Sequence, residues 1–183
     1  PNVVISADVP VERWPLSAFG CDRMCTTLKQ SWMQEITSIY SSNEQKSIDG
    51  AQIIADHLSL SFQRIPELGE NDRSSTGFLE PAEFEQVADA FFAHPEVSVR
   101  GWERAIDAQQ RIVTAVETLV ATDKSSQSIA IISHGGVGAL LYCALMGYPI
   151  SREWDQPSNG GGNYFRFSLE PREAQSAWQA IDK

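Results

Sequence analysis

Length, composition and charge already restrict what this chain can be. It has 183 residues, of which 42% are hydrophobic and 21% charged. This size and balance are typical of one folded domain with a sizeable core, and they exclude a disordered or fibrous chain. The formal net charge of -10 disfavours nucleic acid and anionic membrane surfaces as partners. No segment approaches the roughly 20 consecutive apolar residues of a membrane span.

The cysteines bear on compartment and metal binding. Three cysteines form an odd, sparse set, which favours a reducing compartment and predicts a cytoplasmic protein. Cys21 and Cys25 could share a helix face, but no Cys or His nearby completes the set of about four ligands that zinc requires. We therefore expect neither a metal nor a cofactor, and the sequence leaves the oligomeric state open.

The spacing of apolar residues predicts helices that alternate with strands. Ser17 is a candidate cap for the first helix, and Ser41 and Ser42 form capping-box patterns ahead of the second. Predicted helices occupy 16–32, a segment after 42 with an apolar stripe through 48–58, 83–92, 102–120 and 137–146. Predicted strands occupy 37–40, 62–65, 128–133 and 163–169. This order predicts an α/β fold of three layers, with a mostly parallel sheet covered by helices on both faces.

Polar residues follow three of the predicted strands, where open α/β sheets collect their ligands. They are His134, then Ser42 with Lys46, then Glu70 with Arg73. Gly135 and Gly136 would begin the helix after His134 and present backbone N–H groups at the positive end of its dipole. An imidazole, a carboxyl group and two cations at such a helix end are suited to a phosphate ester.

Four motifs occur in the order typical of one family. In chain order they are Trp14-Pro15-Leu16-Ser17 with Gly20, Tyr40-Ser41-Ser42 with Lys46, Leu68-Gly69-Glu70, and Ile132-Ser133-His134-Gly135-Gly136-Val137. Through them the chain resembles the histidine phosphatase (phosphoglycerate mutase-like) superfamily over nearly its whole length. Lys46 stands where the family carries an arginine, so it keeps the charge but gives up the bidentate guanidinium fork.

The main departure from the family concerns its nucleophile, a histidine in an Arg-His-Gly motif at the end of the first strand. No such motif occurs in the 183 residues. The alignment through Trp14 places that histidine at or just before Pro1. We therefore expect residues 1–183 to form a single domain whose first strand and first-histidine motif lie upstream of Pro1.

The resemblance implies a metal-independent phosphatase that hydrolyses a phosphomonoester through a phosphohistidine intermediate. His134 and Glu70 would be catalytic, with Glu70 as general acid, and Lys46, Arg73, Arg100 and Gly135 would bind phosphate. The ligand would be a small phosphorylated metabolite, the phosphohistidine of a signalling protein, or phosphate itself. Two alternatives stay open: a non-catalytic phosphate-binding or regulatory member without the nucleophile, and a mutase, which the short chain disfavours.

Overall fold

The computed structural model describes residues 1–125 and 127–183. The helices are α1 (Ala18–Thr27), α2 (Gln45–Leu58), α3 (Pro81–Ala93), α4 (Ala105–Thr122) and α5 (Gly135–Met146). The strands are β1 (Ile36–Ser41), β2 (Gln63–Arg64), β3 (Ser128–Ile132), β4 (Asn163–Tyr164), β5 (Phe167–Leu169), β6 (Arg172–Ala174) and β7 (Gln179–Ala180). None of the described helices is both long and apolar enough to cross a membrane.

A parallel sheet positions the ends of three strands side by side. Its order is β2-β1-β3, and both pairings are parallel. In the register, Ser41 at the end of β1 lies opposite Arg64 of β2 and Ile132 of β3. The segments that follow these strands therefore emerge at one edge of the sheet, as the sequence predicts.

The two faces of the sheet bury different residues, because successive strand side chains point to opposite sides. Tyr40, Ile129 and Ile131 belong to a core that includes residues of α3, α4 and α5. Ile39 and Ile132 belong to a second core with residues of α1 and α2. Helices thus cover both faces, and the predicted three-layer α/β fold is confirmed.

Two predicted elements were wrong in extent. The first helix ends at Thr27 instead of continuing to 32, because Lys29 and Gln30 donate to the carbonyls of Thr26 and Thr27 and tighten the last turn. The last predicted strand, 163–169, is two strands that pair antiparallel with β7 and β6. It breaks at Arg166, whose backbone bonds to Gln175 and the hydroxyl of Ser176.

The predicted capping box before α2 is also wrong. Helix α2 begins at Gln45, and Glu44 occupies the cap position without a side-chain capping bond. The hydroxyl of Ser42 accepts a hydrogen bond from the backbone N–H of Glu44 and also lies 2.7 Å from His134 Nε2. The side chains of Ser42 and Glu44 therefore belong to a polar cluster at the sheet edge and not to the helix end.

Strand β3 has one free edge among the described residues, since its only partner there is β1. All five of its residues are half-buried, although four of them are apolar. A cavity of about 770 Å³ is lined by β3 on one side and by residues 161–169 on the other. We refer to this cavity, bounded by β3, β4 and β5, as the slot.

Candidate functional site

His134 forms the centre of the polar cluster, directly after β3 and at the cap position of α5. Its side chain is only 4% exposed, and its Nε2 lies 2.7 Å from Ser42 Oγ and 3.2 Å from Glu44 Oε1. A carboxylate only accepts hydrogen bonds, so this contact favours a proton on Nε2. Burial lowers the pKa of His134 below its ordinary value, while the carboxylates of Glu44 and Glu70 oppose that shift.

The carboxylate of Glu44 lies between three donors. Its Oε2 accepts from Lys46 Nζ at 2.5 Å, and its Oε1 accepts from the backbone N–H of Glu70 at 2.9 Å. The third donor is His134. Burial acts to raise the pKa of Glu44, but His134, Lys46 and the N–H of Glu70 together hold it below the ordinary value. Glu44 is therefore an anion bound inside a cationic, donor-rich cluster.

Lys46 projects from the first turn of α2 into the same cluster. Its ammonium also donates to the carbonyl of Val11 at 3.3 Å, and its side chain is mostly buried. A cation at a helix N-terminus opposes the helix dipole, so this position is mildly unfavourable without an anion nearby. In this structure Glu44 provides that anion.

Glu70 is fixed by the first turn of α5. Its carboxylate accepts from the backbone N–H groups of Gly136 at 3.1 Å, Val137 at 2.9 Å and Asn71 at 3.2 Å. A Cβ atom at position 136 would lie 2.7 Å from Glu70 Oε1, so this approach requires glycine. The second glycine of the His-Gly-Gly motif therefore makes room for a carboxylate at the end of the helix.

Arg111 on α4 holds the backbone that carries Glu70. Its guanidinium donates to the carbonyls of Glu67, Gly69 and Glu70 at 2.7, 3.0 and 3.1 Å, and it pairs with Glu103. The hydroxyl of Ser133 adds a bond to the carbonyl of Leu68 at 2.7 Å. These bonds connect the loop after β2 to α4 and to the end of β3.

The other predicted phosphate ligands are Arg73, Arg100 and Gly135, and each lies in a different environment. Arg73 lies 4.0 Å from Glu70 Oε2 and is packed over the rings of Phe84 and Trp102, at 5.2 and 5.6 Å. Arg100 is half-exposed and pairs with Glu83. It lines neither the slot nor a second cavity, of about 150 Å³, which is lined by Glu70 and Arg73. Within the part of the chain that the structure describes, Arg100 therefore has no ion pair or hydrogen bond with the cluster.

Gly135 is covered by an amide side chain. A Cβ atom there would lie 2.0 Å from Gln156 Nε2, and the oxygen of that amide accepts from Asn163 at 2.9 Å. The bond to Asn163 turns the NH₂ group of Gln156 toward the start of α5. Gln156 therefore adds a neutral donor beside the backbone of Gly135.

The structure brings together His134, Lys46 and Glu70, three of the side chains singled out in the sequence. Sequence reasoning missed the positions of Glu44, Arg111 and Gln156. Glu44 follows Ser41 by three residues, a spacing that indicates a capping glutamate and conceals its role in the cluster. The sequence signal that could have placed Glu44 in the cluster is its position shortly after a buried strand and two residues before Lys46.

Comparison with known protein families identifies the family of this chain. The model of the histidine phosphatase superfamily (branch 1) matches residues 12–177. The chain belongs to this superfamily. No curated protein matches it in sequence.

Solved structures share the fold. A mycobacterial glucosyl-3-phosphoglycerate phosphatase in complex with inorganic phosphate aligns with a TM-score of 0.78 at 18% identity, over 100% of this chain and 96% of that one. The same enzyme with VO3 aligns at 0.67 and 20% identity, over 82% and 81% of the two chains. YhfR of Bacillus stearothermophilus aligns at 0.72 and 21% identity, over 92% and 85%. These similarities show a phosphoglycerate mutase-like fold.

Proposed function

We propose that this protein is a phosphatase that hydrolyses a small phosphomonoester through a phosphohistidine, without a metal, in the cytoplasm. The observation that carries the proposal is the carboxylate of Glu44 between Lys46 and His134. The cluster already holds one oxyanion, so its donors suit the oxygens of a phosphoryl group. The family and the phosphate and vanadate complexes of a similar enzyme support the same assignment.

We further propose that the slot receives the strand that carries the nucleophilic histidine. The edge of β3 that has no partner strand in residues 1–125 and 127–183 offers backbone groups that a parallel strand would satisfy. The slot is lined by Ile129 and Phe167 of one core and by Ile132 and Tyr164 of the other, so an apolar strand would be buried on both faces. Such a strand would end at the sheet edge where Lys46 and His134 lie, and Pro1 also lines the slot.

The proposed reaction has two displacements at phosphorus. The nucleophilic histidine forms a bond to phosphorus while the bond to the ester oxygen breaks, and protonated Glu70 gives its proton to that oxygen. A water then attacks the phosphohistidine and loses a proton to Glu70, which releases phosphate and restores the histidine. His134 and Lys46 stabilise the negative charge on the phosphoryl oxygens in both steps.

The test is hydrolysis of p-nitrophenyl phosphate by the chain together with the native sequence that precedes Pro1. We expect turnover that persists in EDTA, an acid-labile phosphoryl-enzyme, and a loss of about 100-fold or more in His134→Ala. His57→Ala is the matched control, since His57 is exposed. Turnover abolished by EDTA would refute the mechanism, and phosphate binding without turnover would favour a non-catalytic member of the family.

A further inference from the structure

The cluster at the sheet edge supplies two side-chain donors for a phosphoryl group, which carries three oxygens besides the ester oxygen. These donors are Lys46 and His134, and the ammonium of Lys46 is a point charge without the planar fork of an arginine. The slot that both residues line is also lined by Glu70, Gly135 and Gln156. A donor for the third oxygen should therefore lie among these residues.

The side chain of Gln156 offers an unused donor in the slot. Its Oε1 accepts a hydrogen bond from Asn163 Nδ2 at 2.9 Å, whereas its Nε2 donates no hydrogen bond among the described residues. In an amide only the oxygen accepts and only the nitrogen donates, so the bond from Asn163 determines which end of the Gln156 side chain points at Gly135. Asn163 thus orients the NH₂ group of Gln156 before any ligand binds.

The backbone N–H of Gly135 is a second unused donor, and it lies next to the first. The N–H groups of Gly136 and Val137 donate to Glu70, whereas the N–H of Gly135 has no partner among the described residues. A Cβ atom at position 135 would lie 2.0 Å from Gln156 Nε2. Since a backbone nitrogen lies about 2.5 Å from the Cβ position of its own residue, the two nitrogens are at most about 4.5 Å apart.

Two donors at this separation can bind the same oxygen, because each N–H···O bond spans about 2.9 Å between the heavy atoms. Both are uncharged, and the fold fixes both: one belongs to the backbone of α5, and the other is held by Asn163. A backbone N–H and a side-chain amide arranged in this way stabilise negative charge that develops on an oxygen in a transition state.

We propose that Gln156 is a further catalytic residue, whose side-chain N–H binds one phosphoryl oxygen together with the backbone N–H of Gly135. Lys46 and His134 then serve the other two oxygens. Glycine at position 135 belongs to this arrangement, because a Cβ atom there would displace the amide of Gln156. The inference rests on the proposed function, since it takes the cluster at His134 as the phosphoryl site.

Sulfate binding tests the proposal without relying on turnover. Gln156→Leu should weaken the calorimetric Kd for sulfate by about tenfold, because a hydrogen bond to a charged group is lost. Gln110→Leu, which removes an exposed glutamine on α4, should leave the Kd unchanged. An unchanged sulfate Kd in Gln156→Leu would overturn the proposal.

A second substitution at the same position keeps the shape of the side chain. Gln156→Glu retains an oxygen that can accept from Asn163 and replaces the NH₂ group with a second oxygen. It should weaken sulfate binding more than Gln156→Leu does, and Gln110→Glu is the charge-matched control. Equal effects of Gln156→Glu and Gln110→Glu would show that the side chain at 156 does not touch the anion.

Asn163→Leu tests whether Asn163 orients the amide. It should weaken sulfate binding by about threefold in the otherwise unchanged protein, because the NH₂ group is then free to turn away. In the Gln156→Leu variant it should have no further effect, since no amide remains to be oriented. The same loss in both proteins would mean that Asn163 acts only on the structure around it, and would overturn this role.

Hydrolysis of p-nitrophenyl phosphate separates this inference from the proposed function. In the chain with the native sequence that precedes Pro1, Gln156→Leu should lower kcat/KM by about 100-fold, as the loss of one oxyanion donor does, and Gln110→Leu should not. Sulfate binding that depends on Gln156 in a protein without turnover would refute the proposed function alone. An unchanged kcat/KM in Gln156→Leu would overturn Gln156 as a catalytic residue.

Discussion

Glu44 and His134 are in direct contact, with Oε1 and Nε2 3.2 Å apart at the carboxyl edge of the sheet. Lys46 Nζ donates a hydrogen bond to the other oxygen of the same carboxylate, Oε2. A phosphoryl group that uses these donors must take the place of the Glu44 carboxylate or share the donors with it. Glu44 therefore competes with the ligand, and this competition can be measured.

Glu44→Gln should strengthen the binding of an oxyanion by about tenfold or more, because it removes a buried like charge and releases Lys46. Sulfate is a suitable probe, since it remains a dianion between about pH 5 and 8. The measurement is the inhibition constant or the calorimetric Kd for sulfate. Glu96→Gln, which removes an exposed carboxylate elsewhere, is the charge-matched control. Weaker sulfate binding in Glu44→Gln would mean that Glu44 supports the anion site.

Lys46→Met should weaken sulfate binding by about tenfold or more, because a buried charge-assisted donor is lost while the length of the side chain is kept. Lys29→Met provides the control, since Lys29 is exposed on the surface. The two variants change the net charge equally, so long-range effects cancel in the comparison. Equal effects of the two substitutions would show that Lys46 makes no direct contact with the anion.

Arg111→Met should destabilise the protein by about 1–3 kcal/mol, since three carbonyls of the Glu70 loop lose a donor. It should also lower kcat, because Glu70 loses its support. Urea unfolding and hydrolysis kinetics measure the two effects. The control is Arg104→Met, which removes an exposed pair with Asp107 and should change neither quantity appreciably. A stable Arg111→Met protein with normal kcat would contradict this role.

The free energy of unfolding should fall as the pH is lowered. Burial lowers the pKa of His134 from 6.5, and the pKa of Glu44 is lowered from 4.5 by its neighbours against burial. Both groups bind fewer protons in the folded protein than in the unfolded chain. Each therefore contributes its full share of the free energy of unfolding at a pH above its ordinary pKa, and that share is lost as the pH falls below it. The free energy of unfolding, measured with urea between pH 8 and about 5, depends on the protonation of His134. In His134→Gln it should change less with pH over this range. An unchanged profile in this variant would contradict the assignment.

Much of the fold was predictable because its signals are local. The apolar period of 102–120 gives α4, and the apolar run at 128–133 gives β3. The end of α1 and the break at Arg166 were not predictable from apolar spacing, since backbone bonds to Thr26 and Thr27 determine the first and a bond to Ser176 determines the second. Such contacts leave no periodic trace in the sequence.

The site was predictable where the chain requires a particular residue. Glycine at position 136 lets the Glu70 carboxylate approach the start of α5, because a Cβ atom there would displace that carboxylate. The position of Glu44 was not predictable, because its spacing from Ser41 equally fits a capping box. The contacts that hold Glu44 in the cluster come from His134 and from the backbone N–H of Glu70, which lie far from it in the sequence.

The decisive measurement is a crystal structure of this protein grown with vanadate. We predict a vanadate bound to His134 Nε2 and Lys46 Nζ, next to Glu70, with the Glu44 carboxylate moved away from both donors. A crystal in which Glu44 still spans Lys46 and His134, and vanadate is absent or bound elsewhere, would contradict the assignment of this cluster as a phosphoryl site.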